Sequence, residues 1–157
     1  MSTEPASPKQ TDVYIALGTN LGDRQKALRE AIEAVDALEN TSVQATSAFY
    51  ETKARFVEDQ PDFLNACAHL TTSFGPRQLL DHLLAIEEKM GRVRNIPKGP
   101  RIIDLDILFY GDQIIDEDGL TIPHPDLHNR DFVLRPLAEI AAGLVHPVLG
   151  QSIGEMV

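Results

Sequence analysis

Eight residues, IIDLDILF at positions 102–109, constrain this chain more than any others. Branched and aromatic side chains alternate with acids there, a period of two that suits a strand and cannot sit still as a helix. The pattern puts Ile103, Leu105, Ile107 and Phe109 on one side, to be buried, and projects Asp104 and Asp106 together on the other. The chain therefore needs a sheet with a core against one face, and must accommodate two like charges on the opposite face.

The remaining pattern supplies partners for that strand. Residues 12–17 (DVYIAL) read as a short strand ending at the turn GTNLGDR, for which an ordinary strand-to-helix turn suffices. A helix follows over about 23–38, with Leu28, Ile32 and Val35 at helical spacing and Asn20 or Asp23 as its cap. Residues 41–50 alternate as one strand, with Val43, Ala45, Ser47 and Phe49 on a common face; 51–62 is a polar loop ending near Pro61. Residues 63–72 form another strand, SFGP turns the chain, and Leu79, Leu83, Ile86 and Met90 mark a second helix stopped by Gly91. Beyond the 102–109 strand, short extended pieces are expected at 113–115 and 120–122. A last short helix is expected with Pro136 in its first turn, a position where proline is tolerated.

The resulting order, βαββαβ, predicts an α+β, ferredoxin-like fold: a four-stranded antiparallel sheet with helices on one face and the other face free for ligand, plus short C-terminal strand and helix additions. Residues 1–11 read as a disordered leader and 12–157 as a single domain. The first ten residues hold two prolines and no apolar run, and no stretch approaches the roughly 20 apolar residues of a membrane span. With a single cysteine, Cys67, in a strand-like run, an internal disulfide is excluded and a buried structural thiol expected. A cytoplasmic chain is the expectation, and nothing in the sequence demands more than a monomer.

A formal net charge of -10 argues against a general nucleic-acid binder. Within that acidic chain, Arg92, Arg94, Lys98 and Arg101 form a local run without an acid. A solvated loop and a polyanion site of small-molecule size both fit this run taken alone. Asp104 and Asp106 narrow the choice. Two carboxylates on one strand face repel, a divalent cation relieves the repulsion, and magnesium favours carboxylate and phosphate oxygens. Arginine forks that match phosphate oxygens, beside carboxylates that carry magnesium, are the recurring parts of phosphoryl transfer. Arg130 adds a further guanidinium beyond the next turn. No GxxxxGK[ST] occurs, so no P-loop holds the nucleotide. His124 and His128 have metal-pair spacing, but Pro123 and Pro125 oppose a helix, so imidazole donation to a phosphate oxygen is the better reading for His124.

The segments YIALGTNLGDR, DQPDFLNA, GPRIIDLDILFYG and IPHPDLHNRDFVLRPLAEIA, in that order, closely resemble the 6-hydroxymethyl-7,8-dihydropterin pyrophosphokinase family, over residues 14 to about 152. The resemblance implies transfer of the β,γ-diphosphate of ATP, as co-substrate, to the pterin hydroxymethyl group with release of AMP, in folate biosynthesis. It implies two Mg2+ ions on Asp104 and Asp106, triphosphate contacts from Arg92, Arg101 and His124, and mobile or phosphate-facing roles for Arg94 and Arg130. Lys98 belongs to the same basic loop, and Glu87 matches a glutamate near the nucleotide. Thr52, Phe63, Asn65 and Phe132 match pterin-site residues, the two phenylalanines being suited to sandwich a flat ring. Asp106, near the attacking hydroxyl, is the expected proton acceptor. Three places depart from the family pattern: Lys53 to Phe56 replace a TxPxG-type sequence, Lys98 stands where an aromatic is common, and Gly119 stands where some members carry arginine.

A non-enzymatic metabolite-binding module of the same fold would explain the sheet but not the acids beside the arginines. An RNA-binding domain lacks its aromatic, basic strand signature here. A simple kinase would leave ADP rather than AMP.

Overall fold

The computed structural model describes residues 9–52, 62–91 and 103–157. The expectations placed on the leader up to residue 8, on Lys53 to Phe56, and on Arg92, Arg94, Lys98 and Arg101 lie outside the described residues. Strands β1 (Thr11–Thr19), β2 (Thr41–Thr46), β3 (Tyr50–Thr52), β4 (Phe63–Thr72) and β5 (Asp104–Tyr110) form one antiparallel sheet. Its order is β2-β4-β1-β5, with β3 also on β4. Helices α1 (Arg24–Asp36) and α2 (Pro76–Lys89) follow β1 and β4. A hairpin of β6 (Ile115–Glu117) and β7 (Leu120–Ile122) leads to a 3-10 turn at Leu127–Asn129, then to α3 (Asp131–Ala141) and α4 (Ile153–Met156).

The single strand expected over 41–50 ends at Thr46, and a second, β3, takes Tyr50 together with Glu51 and Thr52, the first two residues of the expected polar loop. β2 pairs with the far half of β4 and β3 with its near half, Thr52 lying opposite Phe63, so the outer row of the sheet is broken at Ser47. The break has a local cause: the Ser47 N–H donates to Cys67 O, while the Cys67 N–H donates to the Ser47 hydroxyl at 2.9 Å instead of a main-chain carbonyl. The sheet thus has five strands rather than four.

Two apolar clusters sandwich the sheet. Val13, Ile15, Leu17, Leu105 and Ile107 meet Leu28, Val35, Leu79 and Leu83 from α1 and α2 on one face. On the other, Cys67, Leu108 and Phe109 meet Val133, Leu134 and Leu137 from α3 and Ile153 from α4. The second face is therefore only partly open, which corrects the expectation of a bare ligand face. Phe109 also changes sides. Ile15 pairs with Ile107 but Tyr14 pairs with Phe109, so Leu108 is an extra residue, a β-bulge that turns Leu108 and Phe109 towards α3. The final helix is longer than its apolar stripe suggested, beginning at Asp131 and leaving Pro136 inside it rather than in its first turn. Burial of Val133, Leu134, Pro136 and Leu137 against the sheet offsets the main-chain hydrogen bond that proline cannot donate. Among the described residues no helix is long and apolar enough to cross a membrane.

Candidate functional site

Where α3 leaves the second face uncovered, a cavity of about 360 Å³ opens over the ends of β1, β4 and β5, a volume suited to a small molecule. Eight candidates from widely separated segments line it: Thr52, Phe63, Asn65, Asp104, Asp106, His124, Arg130 and Phe132. Asp104 and Asp106 come from one strand face and are half-buried, while Leu105 between them faces the helical core. The spacing read from sequence therefore delivers both carboxylates to one wall.

On the opposite wall, the Asn65 side-chain amide donates to Thr52 Oγ1 at 2.7 Å. That bond orients the amide at the sheet end where Phe63 and Phe132 supply flat apolar surface. Between the walls lies Gly18, paired with Asn65 on one side and Asp104 on the other. A Cβ at Gly18 would stand 3.0 Å from Asn65 Oδ1 and 4.0 Å from the Phe63 ring. Gly18 thus belongs to the cavity floor, within β1, rather than to the turn where the sequence reading put it. A glycine in a strand interior is itself a signal of close approach.

The β5 bulge fixes the third wall. The carbonyl of the inserted Leu108 accepts the His124 N–H at 3.1 Å, drawing the loop after β7 over the site. The ring Nδ1 of His124 accepts the Asp126 N–H at 3.3 Å. A neutral ring so engaged carries its proton on Nε2, leaving that nitrogen as a donor. Burial pushes the His124 pKa below the ordinary imidazole range, helped by the nearby Arg130 guanidinium and opposed by Asp126 and Asp104. The Arg130 guanidinium lies 3.8 Å from the Asp126 carboxylate and 5.7 Å from the Phe132 ring centroid, a cation over an aromatic face beside an acid. His128 is not among the lining residues.

Glu87 stands apart. It is 1% exposed on α2, and its Oε2 accepts the Leu105 N–H at 2.7 Å. It therefore meets β5 from behind, at the peptide between the two aspartates, and does not line the cavity. At Gly119, where some family members carry arginine, the Arg77 guanidinium of α2 lies 3.8 Å from the position of a Cβ and also bonds the Asp118 carbonyl and Glu117 carboxylate.

Among the described residues no group of three or more His, Cys, Asp or Glu side chains could hold a metal ion. Asp104 and Asp106 still fit magnesium, which characteristically takes one or two protein carboxylates and completes its shell with water and substrate phosphate. Fold and cavity together define a class: an α+β protein with a small-molecule site in which paired carboxylates face an amide-and-aromatic pocket across a glycine floor.

Comparison with known proteins narrows that class. The profile of the 7,8-dihydro-6-hydroxymethylpterin-pyrophosphokinase (HPPK) family matches residues 14–142, and the chain belongs to that family. It is 49% identical over 144 residues to the 2-amino-4-hydroxy-6-hydroxymethyldihydropteridine pyrophosphokinase of Haemophilus influenzae, covering 92% of this chain and 89% of that protein. It is 51% identical over 141 residues to the folic acid synthesis protein fol1 of Pneumocystis carinii, covering 90% of this chain but only 19% of that longer protein. Among solved structures it resembles Plasmodium falciparum wild-type HPPK-DHPS with pteroate, with a TM-score of 0.76 at 18% identity, covering 98% of this chain and 43% of that one. The same protein with pterin and p-hydroxybenzoate gives a TM-score of 0.74 at 19% identity, covering 94% of this chain and 41% of that one. The shared fold is mixed α/β with an antiparallel sheet.

Proposed function

We propose that this chain transfers the β,γ-diphosphate of ATP to the hydroxymethyl oxygen of 6-hydroxymethyl-7,8-dihydropterin, yielding AMP and the pterin diphosphate in folate biosynthesis. The observation that carries the reading is the convergence of Asp104 and Asp106 with Asn65, Thr52, Phe63 and Phe132 on one cavity, in a chain of this family.

In this reading the pterin ring lies between Phe63 and Phe132, and the Asn65 amide, held by Thr52, meets its polar edge. Asp104 and Asp106 hold two magnesium ions, which when bound neutralise phosphate charge. The His124 Nε2–H and the Arg130 guanidinium donate to phosphate oxygens, joined by Arg92, Arg94 and Arg101 through the roles their family positions imply and by Lys98 as a further cation of the same basic run. The substrate oxygen attacks the β-phosphorus, the bond from that phosphorus to the oxygen bridging it to the α-phosphate breaks, and AMP leaves with that oxygen. Asp106 receives the hydroxyl proton. Catalysis is then mainly positioning and charge neutralisation. Glu87 contributes from behind, fixing through the Leu105 N–H the peptide that sets the two aspartates side by side.

Replacing one carboxylate tests the reading. Asp106→Asn should lower turnover about 100-fold or more with the fold intact by circular dichroism. Turnover close to that of the unsubstituted chain would sink the proposal.

A further inference from the structure

The motif GTNLGDR contributes Gly18 to the cavity, but its last residue, Arg24, lies outside the site and makes contacts that point to a second role. Asp23 caps α1 through the Lys26 N–H, and burial of Leu28, Ala31 and Val35 fixes the helix against the sheet. Arg24, the first helical residue, is therefore presented from a rigid base. Its Nη1 reaches the Asp62 carbonyl at 2.9 Å and the Glu51 carboxylate at 2.8 Å.

Those two acceptors flank one rung of the sheet. Glu51 pairs with Leu64, and the next pair is Thr52 with Phe63, the last of β3 with β4. Asp62 immediately precedes β4. Strand alternation lets the Glu51 side chain reach α1 while that of Thr52 lines the cavity. Arg24 thus grips both strands beside the rung whose side chains supply the Thr52 and Phe63 walls. β3 has only three residues and lies in the outer row of the sheet, so its ladder alone holds Thr52 weakly. Its other side is tied by Glu139 of α3, which accepts the Ala48 N–H at 2.8 Å and the Tyr50 hydroxyl. Nearer Thr52, Arg24 supplies the tie.

We propose that Arg24 is a positioning residue for the pterin half of the cavity: it clamps the Thr52–Phe63 rung, and through Thr52 the orientation of Asn65, without touching the substrate. This inference rests on the proposed diphosphate transfer. Arg24 is about one-third exposed and Glu51 more than half, so the pair adds little to global stability. Its effect should appear in pterin binding.

Pterin binding to unsubstituted protein and Arg24→Ala, titrated without nucleotide, is followed by KM measurements for each substrate. Arg24→Ala should weaken pterin binding and raise the pterin KM by about 3- to 10-fold, the range of one ordinary net hydrogen bond, since the pair is partly exposed. The ATP KM and kcat should stay within about twofold. Arg24→Lys should restore part of the loss, and adding Glu51→Ala to Arg24→Ala should cost less than Glu51→Ala alone. Equal pterin affinity in the two proteins, or parallel rises in both KM values, would overturn the inference while leaving the proposed reaction standing. Absence of pterin binding by the unsubstituted chain, both without nucleotide and with magnesium and a non-hydrolysable ATP analogue, would overturn both.

Discussion

Gly18 and Asp104 occupy paired positions on neighbouring strands, yet only one announced itself. The acids were legible because two charges at strand spacing, amid branched apolar residues, need an external partner. Gly18 read as part of a turn because GTNLG carries turn residues, and only the register with Asn65 reveals how tightly the floor is packed. Glu87 shows the converse: a charged residue lies buried on α2 and accepts a main-chain N–H on the far side of β5. Helical periodicity brings it onto the face that carries Leu83 and Ile86, a placement the sequence contained but its charge obscured. The tight floor gives a prediction. Gly18→Ala should push the Asn65 amide away from Thr52, raising the pterin KM by about tenfold, the effect of roughly 1.4 kcal/mol. An unchanged KM at unchanged thermal stability would show that the floor has room to spare.

At the scale of elements, the helices were the easier part, since α1 and α2 each keep one apolar stripe and a recognisable start. Strand irregularities were not legible. A bulge depends on which residue of the neighbouring strand each one meets, and nothing local to LDILFY distinguishes Leu108 as the extra residue. That bulge nevertheless supplies the carbonyl anchoring His124. The C-terminal segment, without evident period, is organised by hydrogen bonds instead. His146 is 5% exposed, its Nδ1 accepts the Val148 and Leu149 N–H groups at 3.1 Å, and its ring meets Phe109 edge-on. Burial, with His128 nearby, lowers its pKa below the ordinary imidazole range. The folded chain thus resists protonation where the unfolded chain does not, so this contribution is complete above about pH 6.5 and lost progressively as pH falls below it. Thermal melting between pH 5 and 7.5 should show stability falling on acidification, less steeply in His146→Asn; His124, shifted the same way, contributes in the same direction. Identical slopes in both proteins would exclude His146 as a contributor.

For the molecule as a whole, alternation, helical periodicity and element order together indicated an antiparallel sheet with helices packed on it. They did not indicate the second layer, because α3 carries a proline in its interior and its apolar residues continue past that point. Yet α3 makes the site a cavity: it covers the lower part of the face, brings Phe132 opposite the β4 residues, and leaves the ends of β1, β4 and β5 open. Eight side chains from across the chain meet there only when both layers are in place. The central claim is that this meeting performs diphosphate rather than single phosphate transfer. Nucleotide product analysis by phosphorus NMR, with ATP, magnesium and 6-hydroxymethyl-7,8-dihydropterin, tests it most directly. The account predicts AMP and pterin diphosphate in equal amounts, both abolished by a chelator; ADP with a pterin monophosphate, or unchanged ATP with folded protein, would contradict it.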